Sequence, residues 1–112
     1  MRVISGKYKG KKLIAPLNDK VRPTTDRIKE TLFNILASRG YKEGIKVLDL
    51  FGGTGALGIE ALSRGADKAV FIDNDSESIK LIRQNLVKVN APAETYEVYN
   101  VDFAFALKKL KD

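Results

Sequence analysis

The 112-residue sequence has no cysteine, no histidine and no tryptophan, and only three prolines and one methionine. Without cysteine and histidine there is no disulfide, no thiol nucleophile, no imidazole base and no ordinary zinc site, so a metal would need carboxylates alone. Any chemistry then falls to other polar side chains and to a bound cofactor. No apolar run approaches the ~20 residues of a membrane-spanning helix. Met1-Arg2-Val3-Ile4-Ser5 is not followed by the apolar stretch of a secretory signal, and a cytoplasmic location is the default. Repeats and low-complexity tracts are lacking as well.

What is present is an apolar content of 44%, enough for a folded core, in a length that fits one small domain. The net charge of +6 is unevenly spread: residues 1–46 carry 12 Lys and Arg against 4 acids, and the remainder 8 against 10. A basic front half beside a slightly acidic back half suggests a polyanion-gripping segment next to a cofactor-binding core. A solvated lysine-rich surface is the plainer reading of the same charge.

Residues 2–15 read as two short strands, Arg2 to Ser5 and Lys12 to Ala15, with Gly6 and Gly10 supplying the positive-φ positions of a hairpin. Tyr8 lies among its lysines, and such a mixture suits backbone gripping and base stacking; packing on the hairpin is the alternative for that ring. Pro16 to Pro23 is a linker. Thr24 and Thr25 can cap a helix that buries Ile28, Leu32, Ile35 and Leu36 and keeps Arg27, Lys29 and Glu30 polar, closed by Gly40. A buried strand over 45–50, a glycine loop and a helix from Leu57 to Arg64 follow. A second strand over 68–73 leads to a helix capped by Asn74, Asp75 or Ser76, carrying Ile79, Ile82, Leu86 and Val89 and stopping at Asn90. A third strand spans 95–101, with a last helix from Phe103 to Lys111.

This alternation predicts an α/β fold, a Rossmann-like, mostly parallel sheet with flanking helices, preceded by the N-terminal β-hairpin. Three strands make about half of a doubly wound sheet, so the chain reads as the first part of a domain. Residues 1–20 form the basic hairpin and linker, and 21–112 the N-terminal part of the cofactor-binding domain.

Gly53-Thr54-Gly55-Ala56-Leu57-Gly58 fits the dinucleotide fingerprint, where glycines let the backbone approach a ligand at a helix N-terminus. Asp49, at the end of the first strand, would repel a pyrophosphate but can pair with a cationic ligand such as S-adenosylmethionine, which carries a sulfonium and an ammonium and no phosphate. Asp73 ends the second strand, 18 residues after Gly55, where a carboxylate can take both ribose hydroxyls. NAD sites use the same device, so Asp73 indicates an adenosine cofactor without choosing between the two; Asp49 and the basic front half weigh against NAD. Asp102 ends the third strand, placed to accept from an adenine amino group, with Phe103 able to cover the ring. Ordinary helix capping is the alternative reading for Asp102 and Asp75.

With those residues in view, the chain resembles the bacterial 16S ribosomal RNA guanine-N2 methyltransferases of the RsmD type. The resemblance is carried by the opening Met1-Arg2-Val3-Ile4-Ser5-Gly6-Lys7-Tyr8-Lys9-Gly10-Lys11, by Arg22-Pro23-Thr24-Thr25-Asp26-Arg27 with Lys29 to Leu36, and by Val47 to Gly55. It implies that S-adenosyl-L-methionine is the cofactor. Asp49, Phe51, Gly52, Gly53, Thr54 and Gly55 would line its methionine part, Asp73 its ribose, and Asp102 and Phe103 its adenine, with Asn74 a further cofactor-binding residue. A phenylalanine at position 51 is more often a core side chain than a ligand contact. It implies too that Arg2, Lys7, Tyr8, Lys9, Lys11, Lys12, Arg22 and Arg27 hold ribosomal RNA or the small ribosomal subunit, the segment from Arg22 to Arg27 folding over the cofactor, in a protein that is a monomer when complete.

Two departures stand out. Asp73 is shorter than the Glu that relatives often carry. The family's Asn/Asp-Pro-Pro-Phe/Tyr motif, which orients and clamps the guanine amine, is not in the sequence; it would follow a fourth strand, beyond Asp112. No catalytic residue and no metal ligand is therefore assigned, and a non-catalytic RNA-binding module with the same fold is the alternative function.

Overall fold

The sequence Lys-Ala-Val-Phe-Ile-Asp at 68–73 is apolar enough to be covered on both faces, as a parallel strand must be, and it forms the middle of the sheet. A computed structural model describes residues 1–15, 26–38, 44–50, 53–102, 104 and 108. In chain order the elements are α1 (Asp26–Ser38), β1 (Lys46–Leu50), α2 (Ala56–Ser63), β2 (Lys68–Asp73), α3 (Ser76–Lys88), a 3-10 turn (Ala93–Thr95) and β3 (Tyr96–Asn100). The strands are parallel in the order β1-β2-β3, with Leu50 opposite Ile72 and Asp73 opposite Asn100. All carboxyl ends therefore meet at one edge.

The periodicity of α3 explains its place. Ile79, Ile82 and Leu86 recur at helical spacing and are buried, and Asp75 caps the helix by accepting from the Glu77 N–H at 3.3 Å. Asn90, at φ 60, ends it in the left-handed conformation that asparagine tolerates. Short α2 is buried along nearly its whole length and sits close to β2 at Gly58, where a Cβ would lie 2.3 Å from the Phe71 ring. One cluster holds Ile59, Leu62, Phe71, Ile82 and Leu86 together with Val3, Tyr8 and Leu13 of the N-terminal segment. Each such side chain contributes roughly 1.5–3 kcal/mol by leaving water.

Two sequence expectations change here. The N-terminal hairpin is a single antiparallel bridge, Arg2 to Lys12, rather than two strands. Its backbone finds other partners: the Ile4 and Ser5 N–H groups donate to the Glu60 carboxylate at 2.9 and 3.1 Å, and the Ile14 N–H donates to Asn85. Gly6 and Gly10 do adopt positive φ, at 92° and 83°.

Helix α1 is turned by about one residue from the predicted face. Phe33 and Lys29 are buried and Leu36 is half-buried, while Leu32 and Ile35 are exposed. Lys29, expected on the polar side, is 0% exposed because its ammonium lies 3.3 Å from a Glu60 carboxylate that is equally buried, and it also donates to the Arg2 carbonyl. Charge pairing inside the core sets the rotation of the helix. The expected caps Thr24 and Thr25, Gly40 and the linker lie outside the described residues, as does most of the last helix, of which Ala104 and Lys108 are helical.

Candidate cofactor site

The carboxyl edge of the sheet gathers the acids that the sequence singles out. Asp49, on β1, turns toward α2. That helix begins after Gly55, which stands at φ 81 and has no side chain with which to cap it. The Asp49 carboxylate supplies the missing acceptor from the neighbouring strand, taking the Gly58 N–H at 3.0 Å. It thereby satisfies one of the orphan donors of the first helical turn, where negative charge is favoured.

Burial opposes that charge. Asp49 is 8% exposed, and a cavity of about 180 Å³ behind it is walled by apolar residues such as Leu32, Phe33, Leu48 and Leu57, with Asp49 its one ionisable wall residue among the described residues. Desolvation pushes its carboxyl up to about 6 from the ordinary 3.8; the Gly58 N–H acts in the opposite sense, and the Asp73 charge adds to the rise. Asp49 is thus an underpaired carboxylate, one that a cation arriving at the edge would ionise fully.

Asp73, at the end of β2, is also 8% exposed. It accepts the Gly53 N–H at 3.3 Å and the Asp75 N–H at 2.9 Å, so it fixes the glycine loop on one side and the start of α3 on the other. A carboxylate offers about four lone-pair sites, which leaves each oxygen capacity for a further donor such as a ribose hydroxyl. Gly53 and Gly55, at φ 59 and 81, give the loop its left-handed turns.

Other candidates are placed less directly. Thr54 is buried, its hydroxyl accepting the Ala56 N–H at 3.3 Å, so it lines the loop through its backbone. Asn74 is exposed beside Asp73. Asp102 is exposed one residue beyond Val101, whose N–H donates to the Asp73 carbonyl at 3.0 Å, and it accepts from the Ala104 N–H at 2.9 Å. Capping is therefore what Asp102 does in this structure. Phe51, Gly52, Phe103 and Arg22 lie outside the described residues. Among the described residues, no group of three metal-binding side chains and no helix able to cross a membrane occurs.

Of the basic residues, Arg2, Lys7, Lys9, Lys11, Lys12 and Arg27 are exposed. Tyr8 is not. Its ring lies in the core cluster at 8% exposure, covered by the Lys7 ammonium 5.5 Å from the ring centre. The reading of Tyr8 as a stacking platform for RNA is corrected accordingly, since a ring enclosed by core side chains has no free face for a base.

Three residues that hold this architecture together escaped the sequence reading. Glu60 receives the Ile4 and Ser5 N–H groups, Lys29, and the Arg64 guanidinium at 2.8 Å. Ser63 accepts the Tyr8 N–H at 2.9 Å and donates to the Ser5 carbonyl at 2.6 Å. Asn85 binds Ile14 and Thr54. A signal was there for two of them: Glu60 is the lone charge in the helix ALGIEALS, and Asn85 falls on the same face of α3 as Ile82 and Leu86.

Parallel strands flanked by helices, turning through a glycine loop with acids at the strand ends, make part of a Rossmann-like α/β fold of the class I methyltransferase type, and solved methyltransferases share it. The chain belongs to the family described as conserved hypothetical protein 95, whose profile matches residues 1–112. It is 41% identical over 100 residues to ribosomal RNA small subunit methyltransferase D of Haemophilus influenzae, covering 89% of this chain and 51% of that protein. The Escherichia coli protein of the same name is 44% identical over 91 residues, covering 81% and 45%. A solved hypothetical protein of Thermus thermophilus superposes with a TM-score of 0.85 at 31% identity, over 99% of this chain and 61% of that one. The chain spans about half the length of the curated relatives it matches.

Proposed function

We propose that the protein containing this chain is a cytoplasmic S-adenosylmethionine-dependent methyltransferase of ribosomal RNA, acting on a guanine N2 of the 16S molecule. The observation that carries the reading is the meeting of two buried carboxylates, Asp49 and Asp73, around the left-handed loop at Gly53 and Gly55. The family membership and the relatives' names support it.

The donor set fits such a cofactor. Asp49 is a buried acid with one N–H and an acidic neighbour, suited to a cationic group and unsuited to a pyrophosphate. Asp73 keeps acceptor capacity for ribose hydroxyls, and the loop backbone is held close by Asp73 itself. When bound, S-adenosylmethionine supplies an electrophilic methyl group on a sulfonium. This chain's part is to hold and orient that group: Asp49 and the loop from 51 to 55 at the methionine end, Asp73 and Asn74 at the ribose, Asp102 and Phe103 at the adenine. In-line transfer depends on that positioning.

The exposed cations Arg2, Lys7, Lys9, Lys11, Lys12 and Arg27, with Arg22, form the RNA-holding side, residues 1–20 acting as its arm. Phosphate contacts of this kind position the nucleic acid without reading its sequence. No catalytic residue is assigned among the 112, and this piece alone is expected to be inactive.

The test is to incubate the complete protein with methyl-labelled S-adenosylmethionine and either 16S RNA or small subunits, then identify the labelled nucleoside. Label in N2-methylguanosine is the expected result. Label in another nucleoside would overturn the guanine assignment, and no label in any RNA would overturn the methyltransferase reading.

A further inference from the structure

The glycine loop and the basic N-terminal segment are joined by one buried side chain. Asn85, on α3 and 0% exposed, accepts the Ile14 N–H on its Oδ1 at 2.6 Å and donates from its Nδ2 to the Ile14 carbonyl at 3.1 Å and to the Thr54 carbonyl at 2.9 Å. Its amide is thus engaged at both ends with backbone groups from two segments distant in sequence. Thr54 lies between Gly53 and Gly55, two left-handed positions of the loop, so its carbonyl is a second point at which the loop is pinned, beside the Gly53 N–H held by Asp73. A second link reaches the same residue: the Thr54 hydroxyl lies 3.7 Å from the Met1 sulfur, and the Met1 carbonyl accepts the Leu13 N–H at 2.9 Å.

An apolar residue could fill this face of α3. A buried amide is tolerated only when its polar atoms are bonded, and here the bonds go to the two segments that the proposed function assigns to different ligands. Resting on that reading, we propose that Asn85 is a positioning residue that couples them, so that RNA held by the basic segment fixes the cofactor loop and raises its affinity for the cofactor. Lys11 and Lys12 lie three and two residues before Ile14. A load on them reaches the Asn85 amide through a single residue, Leu13, which is buried in the core cluster with its N–H on the Met1 carbonyl, and a displaced amide must either carry the Thr54 carbonyl with it or lose that bond.

Coupling of this kind is reciprocal in binding free energy, which makes it measurable from either side. The affinity of the complete protein for S-adenosylhomocysteine is measured by calorimetry with and without saturating 16S RNA, and RNA affinity with and without S-adenosylhomocysteine. The unaltered protein should show an increase of about 5-fold or more, equal in both directions. Asn85→Leu, close in size, should bring the ratio near one while each ligand still binds alone. Should that variant fail to fold, Ile14→Pro decides: the Ile14 side chain is 37% exposed, and this change leaves Asn85 and the buried core in place while removing the N–H that Oδ1 accepts. It should lower the ratio. Equal ratios in the unaltered and altered proteins, or a ratio of one in the unaltered protein that binds both ligands, would overturn the coupling alone. Failure of the unaltered protein to bind either ligand would overturn the functional reading and the coupling with it.

Discussion

Two buried carboxylates, Glu60 within α2 and Asp49 on β1 beside the first turn of that helix, are treated very differently. Glu60 is surrounded by donors: two backbone N–H groups, the Lys29 ammonium and the Arg64 guanidinium. Asp49 has the Gly58 N–H, the Asp73 charge nearby and an apolar cavity behind it. Glu60 is saturated and serves to fasten the N-terminal segment and α1 onto α2. Asp49 keeps unspent charge, which is costly in a core and useful at a binding edge. A fully compensated acid is thus read as structural, and an undercompensated one at a sheet's carboxyl edge as part of a site.

The largest effect should come from breaking the saturated acid. Glu60→Ala leaves the Lys29 ammonium buried beside the Arg2 carbonyl and strands two N–H groups. Removing one member of a buried pair costs about 3–5 kcal/mol, and denaturant unfolding of the complete protein measures it. The double change Lys29→Met with Glu60→Leu should recover part of that loss, because it removes both charges from the core.

The contact that Glu60 and Ser63 secure can be probed from the other partner. A Cβ at Gly6, where φ is 92, would lie 1.9 Å from the Ser63 carbonyl oxygen, whereas one at Gly10, φ 83, would meet nothing within 4 Å. Gly10→Ala should cost about 1 kcal/mol of backbone strain. Gly6→Ala should cost at least about 2 kcal/mol more by overpacking, read as a difference in denaturation midpoints.

Asp49 offers a test through pH. Its carboxyl, raised to about 6 from 3.8, binds more protons in the folded than in the unfolded chain between those values. Stability from this group is therefore present at low pH and declines as pH rises toward about 6, by roughly 3 kcal/mol. Asp49→Asn, which keeps an acceptor for the Gly58 N–H, should flatten that slope. Because a cation favours the ionised form, cofactor affinity should fall about tenfold per pH unit below about 6, and the same variant should remove this dependence.

Smallest in stability is the change of Lys7, Lys9, Lys11 and Lys12 together to alanine. All four are exposed, so folding should shift by no more than about 0.5 kcal/mol for each. Its signature lies elsewhere: the slope of RNA affinity against salt should become shallower by several counterions.

The strands, α3 and the acids Asp49 and Asp73 were legible in the sequence because each follows from local pattern: alternation, helical spacing, glycines between strand and helix. The orientation of α1 was not, since helical spacing favoured Ile28, Leu32, Ile35 and Leu36, of which Leu32 and Ile35 are exposed, and the burial of Lys29 depends on an acid 31 residues away. Tyr8 read equally well as exposed or packed, and tertiary contact with α2 decided it. The hairpin shortens to one bridge, closed by the Val3 N–H on the Lys11 carbonyl and the Leu13 N–H on the Met1 carbonyl, while the side chains of Glu60 and Asn85 take the Ile4, Ser5 and Ile14 N–H groups.

The most direct test of the cofactor site is a calorimetric titration of the complete protein and its Asp73→Ala variant with S-adenosylmethionine and, separately, NAD. The undercompensated acidic edge predicts saturable S-adenosylmethionine binding with no NAD binding, weakened at least about tenfold in the variant, the equivalent of ~1.4 kcal/mol. Tight NAD binding, or S-adenosylmethionine binding that Asp73→Ala leaves unchanged, would contradict the assignment.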